Sequence, residues 1–361
     1  MGEGLETGNK LGNASGNHTS APPPAFRKIE PPWPVLAQRF QTGQLIPFLG
    51  AGASAYCKDQ AGGAPPGVAE LITKLAANAQ LNLHCSTPGC QQFKFDLSRL
   101  ASYYQTCVTP RPVLDQFLQG EIANPAFNPN PLHYLLARIA RNKPMLIVTT
   151  NYDDLLEKAF DDPKDGGEPV PYEVLVTPVD DLAYEPASDE ATGPEHAGGI
   201  LHWMTGSQHS DFTRVTDRDL CLDINQRSVI YKIHGSVPRG SSWPGGYLIA
   251  EEDYARFLGR MDRAEIVPGA IISHIIKKTK VGKIAVPNYS ILFLGYGMHD
   301  WNLRVLLEEL HVGRRAPNEE KHYAFVLEPD EIEESLFRNR RVEVYDCDLA
   351  RFVEKIAERT S

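Results

Sequence analysis

The sequence lacks the features expected of a membrane protein or of a general nucleic-acid binder. No uninterrupted apolar run approaches the roughly 18 residues that a membrane-spanning helix needs. Acidic residues outnumber basic ones, 46 against 36, and the formal net charge is −10. Broad binding to a phosphate backbone needs clustered lysine and arginine. We therefore expect no membrane contact and no direct nucleic-acid binding, although a local basic patch is not excluded.

Metal-binding cysteine patterns are also missing. The six cysteines are scattered and none forms a Cys-x-x-Cys pair. His84, Cys85 and Cys90 lie in LHCSTPGC, but a structural zinc ion needs a complete ligand set and no second pair with metal spacing follows. Free thiols are typical of a reducing compartment. We expect a cytoplasmic protein without a bound metal.

No secretory leader is expected at the N-terminus. It begins with MGEGLETGNKLGNASGNHTSAPPPA, a stretch rich in Gly, Asn, Ser and Pro that contains no apolar segment. Such a composition cannot bury enough apolar surface to fold, so residues 1–30 are expected to form a disordered tail. Residues 31–361 have an ordinary globular composition and are expected to form one large domain with insertions.

Short apolar runs alternate with amphipathic segments in this domain. Strands are predicted at LIPFLG, MLIVTT, SVIYK, SILFLG, HYAFVLE and RVEVYDCD, and helices at PPWPVLAQRFQ, VAELITKLAANAQ, PLHYLLARIA and LARFVEKIAERTS. Residues 264–279 are also predicted to be helical. The alternation predicts an α/β fold built on a doubly wound, Rossmann-like parallel sheet.

Two regions are expected to form a helical and loop insertion subdomain on this sheet. Residues 68–140 contain apolar residues at helical spacing and are predicted to be mainly helical. Residues 161–225 are acidic and rich in Pro and Gly, as in DDPKDGGEP. That composition predicts an insertion of loops and short elements.

Four predicted strands end in polar or glycine-rich residues. The segments are residues 50–54, 149–153, 234–236 and 295–300. Because the carboxyl ends of parallel strands meet at one edge of a sheet, the four segments should converge on one crevice. We expect the ligand to bind there.

The first segment, GAGAS, suits a phosphate-binding turn. Gly50 and Gly52 allow close approach of the backbone to a phosphate, and the helix that follows offers N–H donors at its N-terminus. Ser54 adds a hydroxyl group. The stretch is neither a full dinucleotide fingerprint nor a P-loop, so a purely structural turn is an equal alternative.

The other three segments each have a catalytic and a structural interpretation. Asn151 and Asp153 in TTNYDD can hold a ribose hydroxyl or a water molecule, or cap the next helix. His234 in YKIHGS suits a general base, although a single histidine is commonly structural. In FLGYGMHDWNLR a second glycine turn begins at Gly295, and Asp300 suits a helix cap.

In this order, the four segments resemble the sirtuin family. GAGAS is similar to the sirtuin GAG-x-S phosphate loop, and TTNYD to the T-Q-N-hydrophobic-D motif. KIHGS resembles the catalytic His-Gly motif, and FLGYG the later glycine stretch that contacts the NAD phosphates and the adenine-side ribose. TTNYDDLLEKAF, YKIHGSV and LGYGxxDxxLR are similar to the prokaryotic sirtuin-like branch of anti-phage defence.

The resemblance implies an NAD hydrolase that cleaves its substrate NAD to nicotinamide and ADP-ribose, as a regulated effector of abortive infection. It assigns catalysis to Asn151, His234 and Asp153. The NAD-binding residues it implies are Gly50, Ala51, Gly52, Ser54, Thr150, Gly295, Tyr296, Gly297 and Asp300. It also implies a homo-oligomer and a protein partner, such as a HerA-type ATPase or an Argonaute-like protein.

The sequence departs from deacylating sirtuins in three ways. Their four-cysteine zinc module has no counterpart, because only Cys347 follows His234. CKDQAGGAPPG replaces their Arg-x-Pro-Asp-Phe-Arg segment, and Asn151 and His234 lie much farther apart in sequence. The alternatives are an NAD-dependent protein deacylase or ADP-ribosyltransferase, and a non-catalytic module that senses NAD or ADP-ribose.

Overall fold

The computed structural model describes most of the chain. The described residues are 29–59, 61–81, 96–164, 166–179, 199–206, 211–238, 246–261, 267–281, 284–296 and 321–360. Almost all of the expected tail, the segment with His84, Cys85 and Cys90, and the predicted site residues Gly297 and Asp300 lie outside this set.

A mostly parallel sheet forms the centre of the molecule. Its strands are β1 Leu45–Leu49, β2 Leu146–Thr149, β3 Tyr172–Val176, β4 Ile200–Met204, β5 Thr213–Val215, β6 Ser228–Lys232, β9 Ser290–Leu294, β10 His322–Val326 and β11 Val342–Asp346. Across the described residues, the nine strands are ordered β11-β10-β9-β1-β2-β6-β3-β4-β5. Neighbours from β11 to β3 pair in parallel, whereas β4 and β5 join antiparallel. Two further strands, β7 Lys278–Val281 and β8 Ile284–Pro287, form a separate antiparallel pair.

Helices cover both faces of this sheet. They are α1 Trp33–Gln41, α2 Val68–Asn78, α3 Leu97–Tyr103, α4 Arg111–Ile122, α5 Pro131–Asn142, α6 Leu155–Asp161, α7 Glu251–Met261, α8 Gly269–Ile276, α9 Glu331–Asn339 and α10 Leu349–Thr360. One apolar core includes α1, α5, α6 and α10, and the other includes α7, α8 and α9. The central strands are buried along their whole length, as continuous apolar runs between two helical layers must be. The predicted doubly wound α/β fold is confirmed.

The helical region from residue 68 divides into two parts. Helices α2, α3 and α4 form a third apolar cluster with Val237, Tyr247 and Ile249, which follow β6. Helix α5 instead packs on the sheet in the core of α1, α6 and α10. No helix in the described ranges combines the length and the apolar character needed to cross a membrane.

The structure differs from the predicted elements in two places. Residues 161–225, expected to be loops and short elements, contain β3, β4 and β5, which extend the main sheet. Buried Glu173 interrupts the apolar pattern of β3, and its partner is His202 on β4, at 2.9 Å. The region predicted to be helical to residue 279 ends as a helix at Ile276, and β7 begins at Lys278. The division into tail, domain and insertion stays a prediction.

The strand order reverses direction beside β1. From β1 the chain moves to β2 on one side, and from β9 it moves through β10 and β11 on the other. Adjacent strands whose connections leave in opposite directions open a crevice between their carboxyl ends, where open α/β sheets bind their ligands. Two of the predicted site segments, residues 50–54 and 295–300, follow these two strands.

Candidate active site

The turns after β1 and β9 pack backbone against backbone. The Gly50 N–H donates to the Leu294 carbonyl at 3.0 Å, and the Gly52 N–H to the Gly295 carbonyl at 2.8 Å. A Cβ on Gly52 would lie 2.8 Å from the Gly295 oxygen. Gly295 has a φ of +65°, and a Cβ there would overlap the backbone nitrogen of Ala53. Both glycines are required by these contacts.

These contacts change the role expected for the glycine turn. The N–H groups of Gly50 and Gly52 are used within the protein, and the Ala53 N–H donates to the Gly50 carbonyl at 2.9 Å. The turn therefore contributes close backbone approach rather than a ring of unpaired donors. The sequence alone could not show whether the turn serves for close backbone approach or for hydrogen-bond donation to a ligand.

Ser54 joins the first segment to the second. Its hydroxyl donates to Asp153 Oδ2 at 2.9 Å and accepts from Asn151 Nδ2 at 3.1 Å. Ser54 is buried, and Asn151 is partly exposed at the carboxyl end of β2. The structure thus brings Ser54 to Asn151 and Asp153, although Ser54 lies about a hundred positions before them in sequence.

Asp153 has a structural role in addition to its contact with Ser54. Its Oδ1 accepts the backbone N–H of Leu155, the first residue of α6, at 3.1 Å. Burial raises the pKa of Asp153, because desolvation disfavours the carboxylate, whereas the Lys232 charge and the hydrogen bonds from Leu155 and Ser54 oppose the rise. Asp153 therefore also holds the first turn of α6, whose N-cap residue, Asp154, makes no capping hydrogen bond with its side chain.

Thr150 lies between these groups and the first strand. Its N–H donates to the Leu49 carbonyl at 3.1 Å and its hydroxyl to the same oxygen at 3.4 Å. The N–H of Asn151 donates to Thr149 Oγ1 at 3.0 Å. The start of the TTNYDD segment is therefore held against the end of β1.

His234 follows β6, the neighbour of β2. Its ring is buried and meets Tyr254 and Phe257 edge-on, with centroids 5.8 and 5.9 Å away. Gly235 has a φ of +93°, and a Cβ there would lie 2.5 Å from the Gly246 carbonyl oxygen. The conformation after His234 therefore requires glycine.

Backbone hydrogen bonds join the His234 segment to the Asn151 segment. The Ile233 N–H donates to the Thr149 carbonyl at 3.1 Å, and the Val237 N–H to the Tyr152 carbonyl at 2.8 Å. Neighbouring parallel strands thus place Asn151 and His234 at the same edge of the sheet.

Sequence reasoning missed a buried ion pair beneath the site. The Lys232 ammonium donates to Glu157 Oε1 at 2.7 Å and also to the carbonyl oxygen of Asp153. The Lys232 and Glu157 side chains are 1% and 5% exposed. The available signals were a lysine at the end of the apolar run SVIYK and a glutamate on the buried face of α6.

A cavity of about 420 Å³ lies at the carboxyl ends of β1, β9, β10 and β11. Ala51, Gly52, Gly295 and Tyr296 of the predicted set line it. Sequence reasoning missed the remaining wall, which includes Tyr56, Val68, Val326, Leu327, Asp348 and Leu349. They lie at or just after the ends of β10 and β11, or after the glycine turn, and carry no recognisable motif.

The described residues include no group of three or more His, Cys, Asp or Glu side chains placed to hold a metal ion. Two cysteines of the described part are buried thiols. Burial raises the pKa of Cys57 to about 12 and that of Cys347 to about 11, so both are protonated at neutral pH.

The family model of the SIR2-like domain matches residues 145–345, which is more than half of the chain. The chain belongs to the SIR2-like family. No curated protein matches it. Family membership supports an NAD-related function and suggests an NAD-utilising enzyme. The match includes Asn151, His234 and Gly295 and begins after the 50–54 turn, which the fold itself places beside these residues.

Proposed function

We propose that this SIR2-like protein hydrolyses NAD to nicotinamide and ADP-ribose. The observation that carries the proposal is the contact of Ser54 with both Asn151 and Asp153 at the sheet edge that also bears His234. Three predicted site segments meet there, next to the turn that begins at Gly295. If each segment were only a turn, a helix cap or a core histidine, the segments would have no reason to meet at one place.

The arrangement supports one orientation of NAD. The 420 Å³ cavity would take the adenosine half, with Tyr296 and Leu327 among its walls. The diphosphate would cross the two glycine turns, where missing side chains allow close approach. The nicotinamide riboside would then end near Asn151 and His234.

In this proposal water replaces nicotinamide at the anomeric carbon of the ribose. The glycosidic bond breaks through an oxocarbenium-like transition state, and nicotinamide leaves with the bonding electron pair. Asn151 holds a ribose hydroxyl or the attacking water. His234 accepts the proton of that water and later releases it to solvent. Asp153, bonded to Ser54 and to α6, acts as a positioning residue that orients Ser54 and, through it, Asn151.

The test is incubation of the purified protein with NAD, with nicotinamide and ADP-ribose measured by chromatography and mass spectrometry. His234→Ala should lower the rate by about 10²–10⁴-fold, the usual contribution of a general base. Asn151→Ala should also remove most turnover, and circular dichroism should report an unchanged fold. NAD binding by the wild type without any cleavage would favour the non-catalytic sensing module. Product formation that depends on an acetylated peptide would favour the deacylase alternative.

We further propose that the enzyme is a regulated effector of anti-phage defence that depletes NAD, as a homo-oligomer with a partner such as a HerA-type ATPase. The resemblance of TTNYDDLLEKAF and YKIHGSV to that branch supports this proposal. Cells that express the wild type should lose NAD on phage infection, whereas cells with His234→Ala should not. An unchanged NAD level in infected wild-type cells, with the partner co-expressed, would contradict the role.

A further inference from the structure

A second cavity, also of about 420 Å³, lies on the outer face of α5, away from the glycine turns. We call it the α5–α10 pocket. Its walls include Tyr134, Leu135 and Arg138 of α5, Lys164 after α6, and Val353 and Ala357 of α10. It shares no lining residue with the cavity at the glycine turns.

Arg138 brings an unsatisfied positive charge to this pocket. Its Nε and Nη2 atoms are shielded from solvent and meet no hydrogen-bond acceptor in the part of the chain that the structure describes. Buried donors without acceptors destabilise a fold, and they are uncommon unless something else binds them.

Lys164 adds a second positive charge. Its ammonium group lies 4.8 Å from the centre of the Tyr134 ring, a cation–π contact that holds the charge at the pocket wall. No acidic side chain lines the pocket among the residues described. Burial and, to a smaller extent, the nearby charge of Asp162 raise the pKa of Tyr134, but Asp162 is not part of the wall. A doubly positive pocket contrasts with the net charge of −10 of the whole chain.

We propose that the α5–α10 pocket binds a small organic anion through its phosphate or carboxylate group. Arg138 and Lys164 both line the pocket, so the guanidinium and the ammonium can each supply a charge-assisted hydrogen bond to such an oxyanion. Tyr134, Leu135 and Val353 provide an apolar wall for the carbon skeleton. The volume lies within the range of about 300–1,000 Å³ that is typical of small-molecule sites.

The pocket is separate from the candidate active site, but α5, which lines the pocket, also supports that site. Asn130 caps α5 through hydrogen bonds to its first turn, and its Nδ2 donates to the Ala53 carbonyl in the glycine turn at 2.6 Å. Pro129 and Pro131, on either side of Asn130, line the pocket. An occupant would therefore contact the helix whose N-cap holds the glycine turn.

The test is thermal unfolding of the full chain with pyrophosphate or citrate, against sodium chloride of equal ionic strength. A ligand that binds only the folded state raises the unfolding temperature in proportion to its occupancy. At least one probe should raise the wild-type temperature, and Arg138→Met should lose most of the increase. Arg141→Met is the matched control, because Arg141 lies on the same helix and does not line the pocket. It should keep the increase.

A second readout separates a binding arginine from a structural one. In chloride alone, Arg138→Met should be at least as stable as the wild type, because two unsatisfied donors are removed. Equal increases in the wild type and in Arg138→Met would place the anion at another site, such as the glycine turns, and overturn the proposal. No increase with either probe would do the same. These measurements contain no NAD, so they are independent of the proposed hydrolysis.

Discussion

The buried pair of Lys232 and Glu157 provides the sharpest test of how the site is held. Both side chains are at most 5% exposed, and their charged atoms are 2.7 Å apart. Removal of one partner leaves an uncompensated buried charge, which typically costs about 3–5 kcal/mol of folding free energy. Glu157→Leu and Lys232→Met should each destabilise the protein by that amount. Glu157 Oε2 has no hydrogen-bond partner among the described residues, so no nearby donor compensates for the lost lysine.

The double variant Lys232→Met/Glu157→Leu should recover most of this stability. Replacement of a buried ion pair by apolar side chains of similar volume is often neutral or stabilising. A double-mutant cycle from urea unfolding curves should therefore give a coupling energy close to the sum of the two single losses, above about 5 kcal/mol. A loss below about 1 kcal/mol in each single variant would refute the reasoning, since that value is typical of exposed pairs.

The same double variant separates stability from positioning. Lys232 also donates to the carbonyl oxygen of Asp153, a contact that methionine cannot replace. We expect the double variant to fold normally but to cleave NAD more slowly, because the segment that carries Asn151 loses its support. Normal turnover in the double variant would show that Lys232 acts only in folding. A fall in kcat with an unchanged KM would indicate that substrate binding is intact and positioning is lost.

Three further predictions address the glycine turns, the pH dependence of stability and the first cavity. Gly295→Ala should unfold at lower urea concentration and lose NAD binding, because its Cβ would overlap Ala53. The control is Gly259→Ala on α7, which has open space around it and should change neither urea unfolding nor NAD binding appreciably. Burial lowers the pKa of His133 from 6.5 to about 3, so the unfolded chain binds its proton first and stability should fall by about 1.4 kcal/mol per pH unit as pH drops below 6.5. His133→Gln should reduce this slope in urea unfolding measured at several pH values, and an unchanged slope would contradict the assignment. Leu327→Glu should weaken AMP binding at least about tenfold in a calorimetric titration, since it places a negative charge in the cavity wall, whereas Ile332→Glu, exposed but outside the cavity, should leave it unchanged.

Strands could be predicted from the sequence where burial alone determines the pattern of apolar residues. β1, β2, β6 and β9 are continuous apolar runs, and both of their faces are covered by helices. β3 was not predicted, because Glu173 breaks its pattern and the group that satisfies it, His202, belongs to β4. A local pattern cannot show that a charged residue will find a buried partner on another strand.

The candidate site was predictable only as separate segments. Ser54 and Asn151 were chosen for different reasons, and their contact at 3.1 Å depends on the pairing of β1 with β2. Gly50 and Gly52 were expected to let the backbone approach a phosphate, and in the structure the N–H groups of both donate to the neighbouring strand and turn. Such a choice between internal and external partners depends on what the fold places opposite each donor.

The sequence by itself determined the α/β class, the strand ends that carry polar residues, and the positions where glycine is needed. These features depend on burial and local conformation, which the order of residues encodes directly. Only the tertiary structure decided that Gly52 meets Gly295, that Lys232 supports Asp153, and that Nε and Nη2 of Arg138 have no acceptor in the described part of the chain. In each case the group's partner is distant in sequence, or no partner is present. The energetic effect of a buried polar or charged group depends on that partner, so the local sequence cannot predict it.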